Sequence, residues 1–439
     1  MKRDIYASLL AWKEDKRRKP LMMYGARQVG KTYILKEFGH KEYANMVYLN
    51  CYKNEQLKSL FSEGKDVRQL LLGLSVVSEQ EILPGKTFVF IDEVQEIPDV
   101  VASLKYFCED APDIHIAVAG SLLGVMNMEG CSFPTGKVNI MRMYPMTFIE
   151  YLEGTGNEGK GALLRDPGNY QLINSLIDTY IPLLREYYFV GGMPEAVVEF
   201  ADSRSPERVR RVQSDILSAY EADIAKHAGN QAVKARMVFG NIPSQLAREN
   251  KKFIFSDLKK GGRGSEFEES IKWLTDAGLI YKIERVSKAA IPLSFYKENN
   301  VFKLFILDVG LLGAMAQVPP SQILVGNNIF CEFKGAFTEN YVLTQMQTVP
   351  ETSVAYYAKP NSTLEIDFLV QKGERLMPIE VKAEENVKSK SLYQFVVNDN
   401  PGLHGYRFSM RGYKEQEWMT NIPLFAITSY LNGTLHETV

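Results

Sequence analysis

The chain has 439 residues, of which 45% are hydrophobic and 24% are charged, and its formal net charge at pH 7 is −2. This length exceeds one ordinary hydrophobic core, so two or three domains are expected. The apolar and charged contents are globular values and exclude wholesale disorder. The near-neutral charge excludes an overall positive charge that would attract nucleic acid, so any contact with nucleic acid must come from a local basic patch.

Cysteine spacing and apolar runs indicate the compartment. The four cysteines lie far apart, with no CxxC pair and no Cys/His cluster, which argues against a zinc site or a disulfide framework and fits a reducing cytosol. No apolar run reaches membrane-spanning length. Residues 1–12 lack the long apolar stretch and cleavage site of a signal peptide, so an amphipathic helix is expected there. The sequence predicts a cytoplasmic protein without a membrane partner.

A phosphate-binding loop is predicted after the first strand. Residues 25–32 match the pattern Gly-x-x-x-x-Gly-Lys-[Ser/Thr] of nucleoside triphosphatases, with a strand-length apolar run before them and a helical pattern after them. Glycines let the backbone wrap a phosphate, and N–H groups at a helix N-terminus supply positive potential. Lys31 would reach the β- and γ-phosphates, and the Thr32 hydroxyl would ligate Mg²⁺. We predict that ATP is bound by Gly25, Ala26, Arg27, Gln28, Val29, Gly30, Lys31, Thr32 and Tyr33.

Two carboxylates end a predicted buried strand about 60 residues further on. Residues 87–93 read Thr-Phe-Val-Phe-Ile-Asp-Glu, and the nearly continuous apolar run indicates burial on both faces, as in a parallel sheet. We predict that Asp92 holds Mg²⁺ through water and that Glu93 orients or deprotonates the attacking water.

Further strands complete a doubly wound α/β sheet. Residues 114–119 form the next predicted strand, which ends at Ser121, and residues 138–143 form the last. Ser121 is a candidate contact for the γ-phosphate or the water, and equally a candidate N-cap for the following helix. Strands that alternate with helices place the nucleotide at the carboxyl edge of the sheet.

Several segments together resemble a widespread group of prokaryotic AAA+-type ATPases. They are Gly-Ala-Arg-Gln-Val-Gly-Lys-Thr, Phe-Ile-Asp-Glu-Val-Gln, Ala-Gly-Ser, Tyr-Pro-Met-Thr-Phe-Ile-Glu-Tyr-Leu, and Gly-Gly-Met-Pro-Glu-Ala-Val from 191 to 197. Members of this family carry a C-terminal restriction-endonuclease-like domain, of the type written PD-(D/E)XK, and most lack an assigned role. The resemblance spans nearly the whole chain and implies a P-loop ATPase domain at 1–150 and a helical lid at 151–240.

One position departs from the family pattern. The family has Gly-Arg shortly before the Tyr-Pro-Met-Thr-Phe segment, and this chain has Gly136-Lys137. If that arginine neutralises the γ-phosphate, Lys137 would do so less well because it lacks the bidentate guanidinium fork. Slow hydrolysis is expected in that case.

Residues 241–316 are predicted to form a winged helix and a linker. Three short helices are predicted at 243–250, from 255 and at 266–277, and residues 278–285 read as a turn into a strand. Three helices followed by a β-hairpin, the wing, describe a winged helix, which is a helix-turn-helix variant. Two acidic residues lie among six basic ones, Arg248, Lys251, Lys252, Lys259, Lys260 and Arg263. Duplex DNA is therefore a candidate partner, but acidic residues on the third helix would repel phosphates, and a protein–protein or interdomain role is at least as well supported.

Residues 317–439 are predicted to form an α/β restriction-endonuclease-like domain. Glu380 and Lys382 lie two apart on one strand and share a face, and Asp367 lies on a strand that reads as its neighbour. With Glu339 as a third carboxylate, these residues would hold Mg²⁺ and activate a water, and Lys382 would position the nucleophile. The alternative is an ion-paired network on a fold without cleavage.

The sequence therefore favours an ATP-binding and ATP-hydrolysing AAA+-like switch protein. The cofactors are ATP and Mg²⁺, and the candidate partners are DNA and further copies of the chain. Two alternatives remain: an ATP-gated, Mg²⁺-dependent DNA nuclease, and a non-catalytic scaffold whose nucleotide state controls oligomerisation or partner docking.

Overall fold

We describe the computed structural model of the chain over residues 1–63, 66–120, 134–248, 251–325, 334–383 and 388–433. The chain divides into two compact units. The N-terminal unit comprises Lys2–Tyr144 with the short piece Asp276–Gly278. The C-terminal unit comprises Pro145–Thr275 and Leu279–Val439 together with Met1.

Strands and helices alternate along the N-terminal unit. In chain order they are α1 (Ile5–Glu14), β1 (Leu21–Tyr24), α2 (Lys31–Glu42), β2 (Asn45–Asn50), α3 (Glu55–Glu63), α4 (Val67–Ser78), β3 (Thr87–Asp92), a 3-10 turn (Val94–Glu96), α5 (Pro98–Asp110), β4 (His115–Gly120) and β5 (Asn139–Arg142).

The strands of this unit form one parallel sheet in the order β2-β3-β4-β1-β5. Every residue of β3 and β4 is buried, because helices cover both faces. On one face, Leu104 of α5 packs in the same core as Val89. On the other, the ring of Phe38 from α2 lies edge-on to Phe88 at 5.4 Å between centroids. The predicted doubly wound parallel α/β sheet is confirmed.

The C-terminal unit begins with helices. Through residue 276 they are Phe148–Gly154, Glu158–Arg165, Tyr170–Ser175, Ile177–Val190, Pro194–Ser203, Pro206–His227, Ala232–Leu246 and Gly264–Asp276. The short helix predicted at 243–250 is instead the end of Ala232–Leu246, which continues through Pro243. The helix predicted from residue 255 is a single 3-10 turn, Phe255–Asp257.

The rest of this unit supplies an eight-stranded sheet in the order β12-β13-β11-β10-β9-β8-β6-β7. The strands are β6 (Ile280–Val286), β7 (Lys297–Ile306), β8 (Thr352–Ala358), β9 (Glu365–Lys372), β10 (Arg375–Lys382), β11 (Gly405–Ser409), β12 (Lys414–Glu415) and β13 (Met419–Pro423). Helices Val309–Met315, Pro320–Val325, Lys334–Gln347, Lys390–Tyr393 and Ile427–Gly433 accompany them.

The strands predicted as the wing of a winged helix belong to this larger sheet. β6 and β7 pair as an antiparallel hairpin, and β6 also pairs with β8 in parallel through Arg285 and Val286. The domain boundary predicted at residue 316 therefore falls between β7 and β8, which are strands of the same sheet.

Candidate functional site

The predicted phosphate-binding loop connects the end of β1 to the start of α2. Gly30 is the N-cap residue of α2 and has a φ of +97°, in the left-handed region that glycine occupies without steric penalty. A Cβ on Gly25 would lie 2.3 Å from the carbonyl oxygen of Met143 on the segment after β5. Both glycines of the motif are thus required by the backbone path, independently of any ligand.

The Lys31 ammonium lies over its own loop. Its Nζ donates hydrogen bonds to the carbonyl oxygens of Gly25, at 3.0 Å, and Ala26, at 2.8 Å. Desolvation lowers the pKa of Lys31 to about 8, although the nearby carboxylates of Glu93 and Asp92 act in the opposite direction. The Lys31 ammonium therefore already lies at the loop, where its hydrogen bonds go to backbone carbonyl oxygens.

The two predicted magnesium ligands lie side by side. The Thr32 hydroxyl donates to Asp92 Oδ2 at 2.7 Å, and the Tyr48 hydroxyl donates to the same oxygen at 3.4 Å. Asp92 Oδ1 accepts the backbone N–H of Glu93 at 2.9 Å. Burial raises the pKa of Asp92, against the effect of these hydrogen bonds. A hydroxyl and a carboxylate suit Mg²⁺, which keeps several waters and takes few protein ligands in phosphate sites.

Glu93 has an unusual backbone conformation at the end of β3. Its φ of +53° and ψ of +42° place it in the left-handed region as the N-cap residue of the turn Val94–Glu96. Such conformations concentrate at functional sites, where the surrounding structure enforces them. The Gln95 side-chain amide donates a hydrogen bond to Glu93 Oε2. Gln95 therefore fixes the direction of the carboxylate. Ser121, the candidate contact for the γ-phosphate or the water, lies outside the described residues.

Sequence reasoning missed a buried arginine that supports the loop. Arg3 donates from Nη1 to the carbonyl oxygen of Val29 at 3.0 Å and from Nη2 to that of Tyr144 at 2.7 Å. It thereby joins the loop to the segment that follows β5. No sequence signal could have identified Arg3, because its partners lie 26 and 141 residues away.

Lys137 does not lie at the phosphate edge, which corrects the concern about the Gly136-Lys137 departure. β5 runs parallel to β1, with Asn139 opposite Leu21 at the start of β1 and Arg142 opposite Tyr24 at its end. Lys137 precedes β5 and so lies at the opposite edge from the loop, where its ammonium pairs with Glu109 at 2.7 Å.

The structure also assembles the nuclease-like residues. Asp367 of β9 accepts the backbone N–H of Val381 on β10 at 2.7 Å, which places it beside Glu380 and Lys382. The Lys382 ammonium lies 2.9 Å from the Glu380 carboxylate. Burial, followed by the charge of Glu339, raises the pKa of Asp367 to about 7.

Glu339, on helix Lys334–Gln347, forms an ion pair with Lys251, and Lys303 lies 3.9 Å from its second oxygen. In the described part of the chain, no group of three or more His, Cys, Asp or Glu side chains is placed to hold a metal ion. The predicted nuclease residues are therefore brought together, but their carboxylates do not form a metal-binding group.

Comparison with protein families covers three segments. Residues 17–152 match a family described as an AAA domain. Residues 181–322 and 334–427 match two domains of unknown function, DUF8612 and DUF4143. The predicted resemblance to AAA+-type ATPases is thus confirmed for the first segment, and neither of the other two matches is described as restriction-endonuclease-like. Among curated proteins, no match to the chain was found. No helix in the described ranges is long and apolar enough to cross a membrane.

Solved structures similar to the chain include three proteins, each matched over 72% of this chain. A Walker-type ATPase of Pyrococcus abyssi is 15% identical, covering 72% of this chain and 95% of its own, with a TM-score of 0.43. Cdc6p from Pyrobaculum aerophilum is 12% identical, covering 72% and 91%, with a TM-score of 0.26. Drosophila ORC bound to DNA is 13% identical, covering 72% and 85%, with a TM-score of 0.25. Residues 17–152 are similar to an AAA domain, and likenesses at these identities add nothing about function.

Proposed function

We propose that this chain binds ATP with Mg²⁺ at residues 25–33, hydrolyses it, and acts as a nucleotide-dependent switch. The observation that carries the proposal is the 2.7 Å hydrogen bond between Thr32 and Asp92. It joins the residue after the loop lysine to the end of β3, 60 residues later, and so pairs the two oxygen ligands that a P-loop ATPase uses for Mg²⁺. A fortuitous glycine-rich turn would not require this pairing.

Each residue has a distinct role in the proposed reaction. Backbone N–H groups at the start of α2 and the Lys31 ammonium would hold the phosphates. Thr32 and, through water, Asp92 would hold Mg²⁺, which supplies neutralising charge to the phosphate oxygens when bound. Glu93 would orient the attacking water and accept its proton, and Gln95 would position Glu93.

Contacts within the C-terminal unit bear on the choice of partner. At least three of the six basic residues between 248 and 263 are already paired with carboxylates of the same chain: Arg248 with Asp257 at 2.5 Å, Lys259 with Glu266 at 3.7 Å, and Lys251 with Glu339. Paired cations contribute less to phosphate binding because the partner carboxylate repels the same phosphate. This supports a switch that docks a protein, or a second copy of the chain, over one that reads duplex DNA.

The test is ATP turnover by the purified full chain, with and without duplex DNA, together with light scattering in ADP and in a non-hydrolysable ATP analogue. We expect turnover that is indifferent to DNA and a mass that changes with nucleotide. Turnover that rises with DNA would overturn the choice of partner. If neither turnover nor nucleotide binding is detected, the proposal itself fails.

Lys31 makes ATP binding dependent on pH. With a pKa of about 8 in the free site, Lys31 is charged below that pH. Phosphate favours the ammonium, so binding above pH 8 takes up a proton. ATP affinity is therefore expected to be flat between about pH 7 and 8 and to fall by up to about tenfold per pH unit above pH 8. Titration with a fluorescent ATP analogue measures this, and the Lys31→Arg variant, which stays charged, is expected to flatten the profile.

A further inference from the structure

Asp92, at the end of β3, has a hydroxyl donor that belongs to neither the phosphate-loop motif nor the carboxylate pair. The Tyr48 hydroxyl of the neighbouring strand β2 lies 3.4 Å from Asp92 Oδ2, the oxygen that also accepts the Thr32 hydroxyl at 2.7 Å. β2 and β3 are parallel, with Tyr48 opposite Phe90 and Asn50 opposite Asp92. The Tyr48 side chain therefore extends along the sheet toward the carboxyl edge, where the predicted magnesium ligands lie.

A chain of hydrogen bonds fixes the direction in which the Tyr48 hydroxyl donates. The Asn50 side-chain oxygen accepts the backbone N–H of Tyr52 at 2.7 Å, so the amide nitrogen is the atom of Asn50 that faces Tyr48. That nitrogen donates to the Tyr48 hydroxyl at 3.3 Å. Because an amide nitrogen can only donate, the hydroxyl must accept this bond, and its single proton is left for Asp92. Asn50 and Tyr48 thus form a donor chain that ends on the Asp92 carboxylate.

Two further features favour donation by Tyr48. Lys36 Nζ lies 3.5 Å from the centre of the Tyr48 ring, and a cation over the face of a phenol ring draws electron density from it and strengthens its O–H as a donor. Lys36 lies four residues after Thr32 on α2, and residues four apart share one face of a helix. Burial raises the pKa of Tyr48, so the hydroxyl keeps its proton at neutral pH.

The Asp92 carboxylate depends on such donors for its orientation. Its residue is 3% exposed, and a buried carboxylate is held in place by the groups that donate to it. Oδ1 accepts the backbone N–H of Glu93 at 2.9 Å, and Oδ2 accepts the two hydroxyls. In the proposed function the Thr32 oxygen also binds Mg²⁺ directly, whereas the Tyr48 hydroxyl acts on Asp92 alone.

We propose that Tyr48 is a positioning residue for the magnesium site, because its hydroxyl holds the Asp92 carboxylate in the orientation in which Asp92 and Thr32 contribute to the same ion. The inference rests on the proposed function and adds to it a residue that touches neither the nucleotide nor the ion. Removing a group that orients a metal ligand typically lowers metal affinity by about 10- to 100-fold. A hydrogen bond of 3.4 Å is long, which places Tyr48 at the weak end of that range.

The test is the binding of a fluorescent ATP analogue to the full chain, in EDTA and in excess Mg²⁺. The ratio of the two dissociation constants measures how strongly Mg²⁺ and nucleotide favour each other's binding. Tyr48→Phe is expected to lower this ratio toward one, by up to about tenfold. Its affinity in EDTA should equal that of the wild type, because Tyr48 does not contact the phosphates. In turnover, the apparent KM for Mg²⁺ should rise by the same factor, with kcat at saturating Mg²⁺ lowered less than about twofold.

Two further variants separate this role from general damage. Tyr52 is an exposed tyrosine of the same segment that also has a lysine over its ring, Lys53 at 5.2 Å, and Tyr52→Phe should leave the ratio unchanged. If Tyr48 acts through Asp92, the double variant Tyr48→Phe/Asp92→Asn should have the same ratio as Asp92→Asn alone.

An additive loss in the double variant, an unchanged ratio in Tyr48→Phe, or a failure of Tyr48→Phe to fold would overturn the inference. In the last case the hydroxyl would be needed for folding and not for the ion. A wild type that binds no analogue, or binds it equally with and without Mg²⁺, would instead overturn the proposed function, and this inference with it.

Discussion

Replacing Glu93 by glutamine is expected to lower ATP turnover by about a hundredfold or more while ATP binding is retained. Glutamine has the shape of glutamate, and its oxygen can still accept the hydrogen bond from Gln95, so the left-handed turn after β3 is preserved. The amide cannot accept a proton from water, and its dipole orients water less strongly than a full charge does. The measurement is steady-state phosphate release, with a fluorescent ATP analogue to confirm binding.

The matched control for this experiment lies three residues further on. Glu96 is an exposed acidic residue in the same 3-10 turn, and Glu96→Gln removes the same charge from the same segment. Its turnover should equal that of the wild type. Unchanged turnover in Glu93→Gln would show that Glu93 is not the base, and equal losses in both variants would indicate a general electrostatic effect.

The site residues that could be predicted are those that a short motif places. The sequence around Lys31 encodes its own turn, because Gly25 and Gly30 take backbone positions closed to other residues. Asp92 and Glu93 follow from a strand whose apolar run ends at the carboxyl edge of a parallel sheet. The phosphate-loop motif, together with the rule that parallel strands end at one edge of a sheet, therefore suffices to predict that Thr32 and Asp92 lie close together.

Residues fixed by distant partners could not be predicted. The sequence places Lys251 among the cations available to phosphate, yet it pairs with Glu339, 88 residues away. The family pattern suggests a role at the phosphate for Lys137, but its position before β5 places it at the other edge of the sheet. In both cases the sequence shows that the residue is charged. Which side chain it pairs with depends on how the strands and helices pack, and the sequence alone does not show that.

Element boundaries failed where tertiary packing overrode local signals. The sequence predicts a separate short helix that begins at Pro243. The helix Ala232–Leu246 instead carries Pro243 in its last turn and buries Leu246 and Phe239 on the same side. The sequence predicts the hairpin β6–β7 as the wing of a separate domain, since a hairpin pattern does not reveal which further strand pairs with its edge.

The largest effect on stability is expected from Gly191→Ala in the C-terminal unit. Gly191 ends helix Ile177–Val190 with a φ of +75° and a ψ of −168°, a combination that is essentially restricted to glycine. A Cβ there would lie 2.1 Å from Oδ1 of Asp308. That carboxylate accepts the backbone N–H of Gly192 at 2.6 Å and that of Leu311 at 3.0 Å. It therefore cannot move without leaving buried donors unpaired.

Backbone strain and overpacking then act together, and the expected loss is about 3 kcal/mol or more in the free energy of unfolding. Thermal or urea unfolding followed by circular dichroism measures it. Gly229→Ala is the matched control, because Gly229 also has a positive φ, of +51°, in the same unit, but a Cβ there meets no atom within 4 Å. If both variants lose the same stability, neither the ψ of −168° at Gly191 nor the contact with Asp308 adds to the cost of a positive φ. A loss confined to Gly191→Ala is the expected result, because only there does a Cβ combine a backbone conformation restricted to glycine with contact to the Asp308 carboxylate.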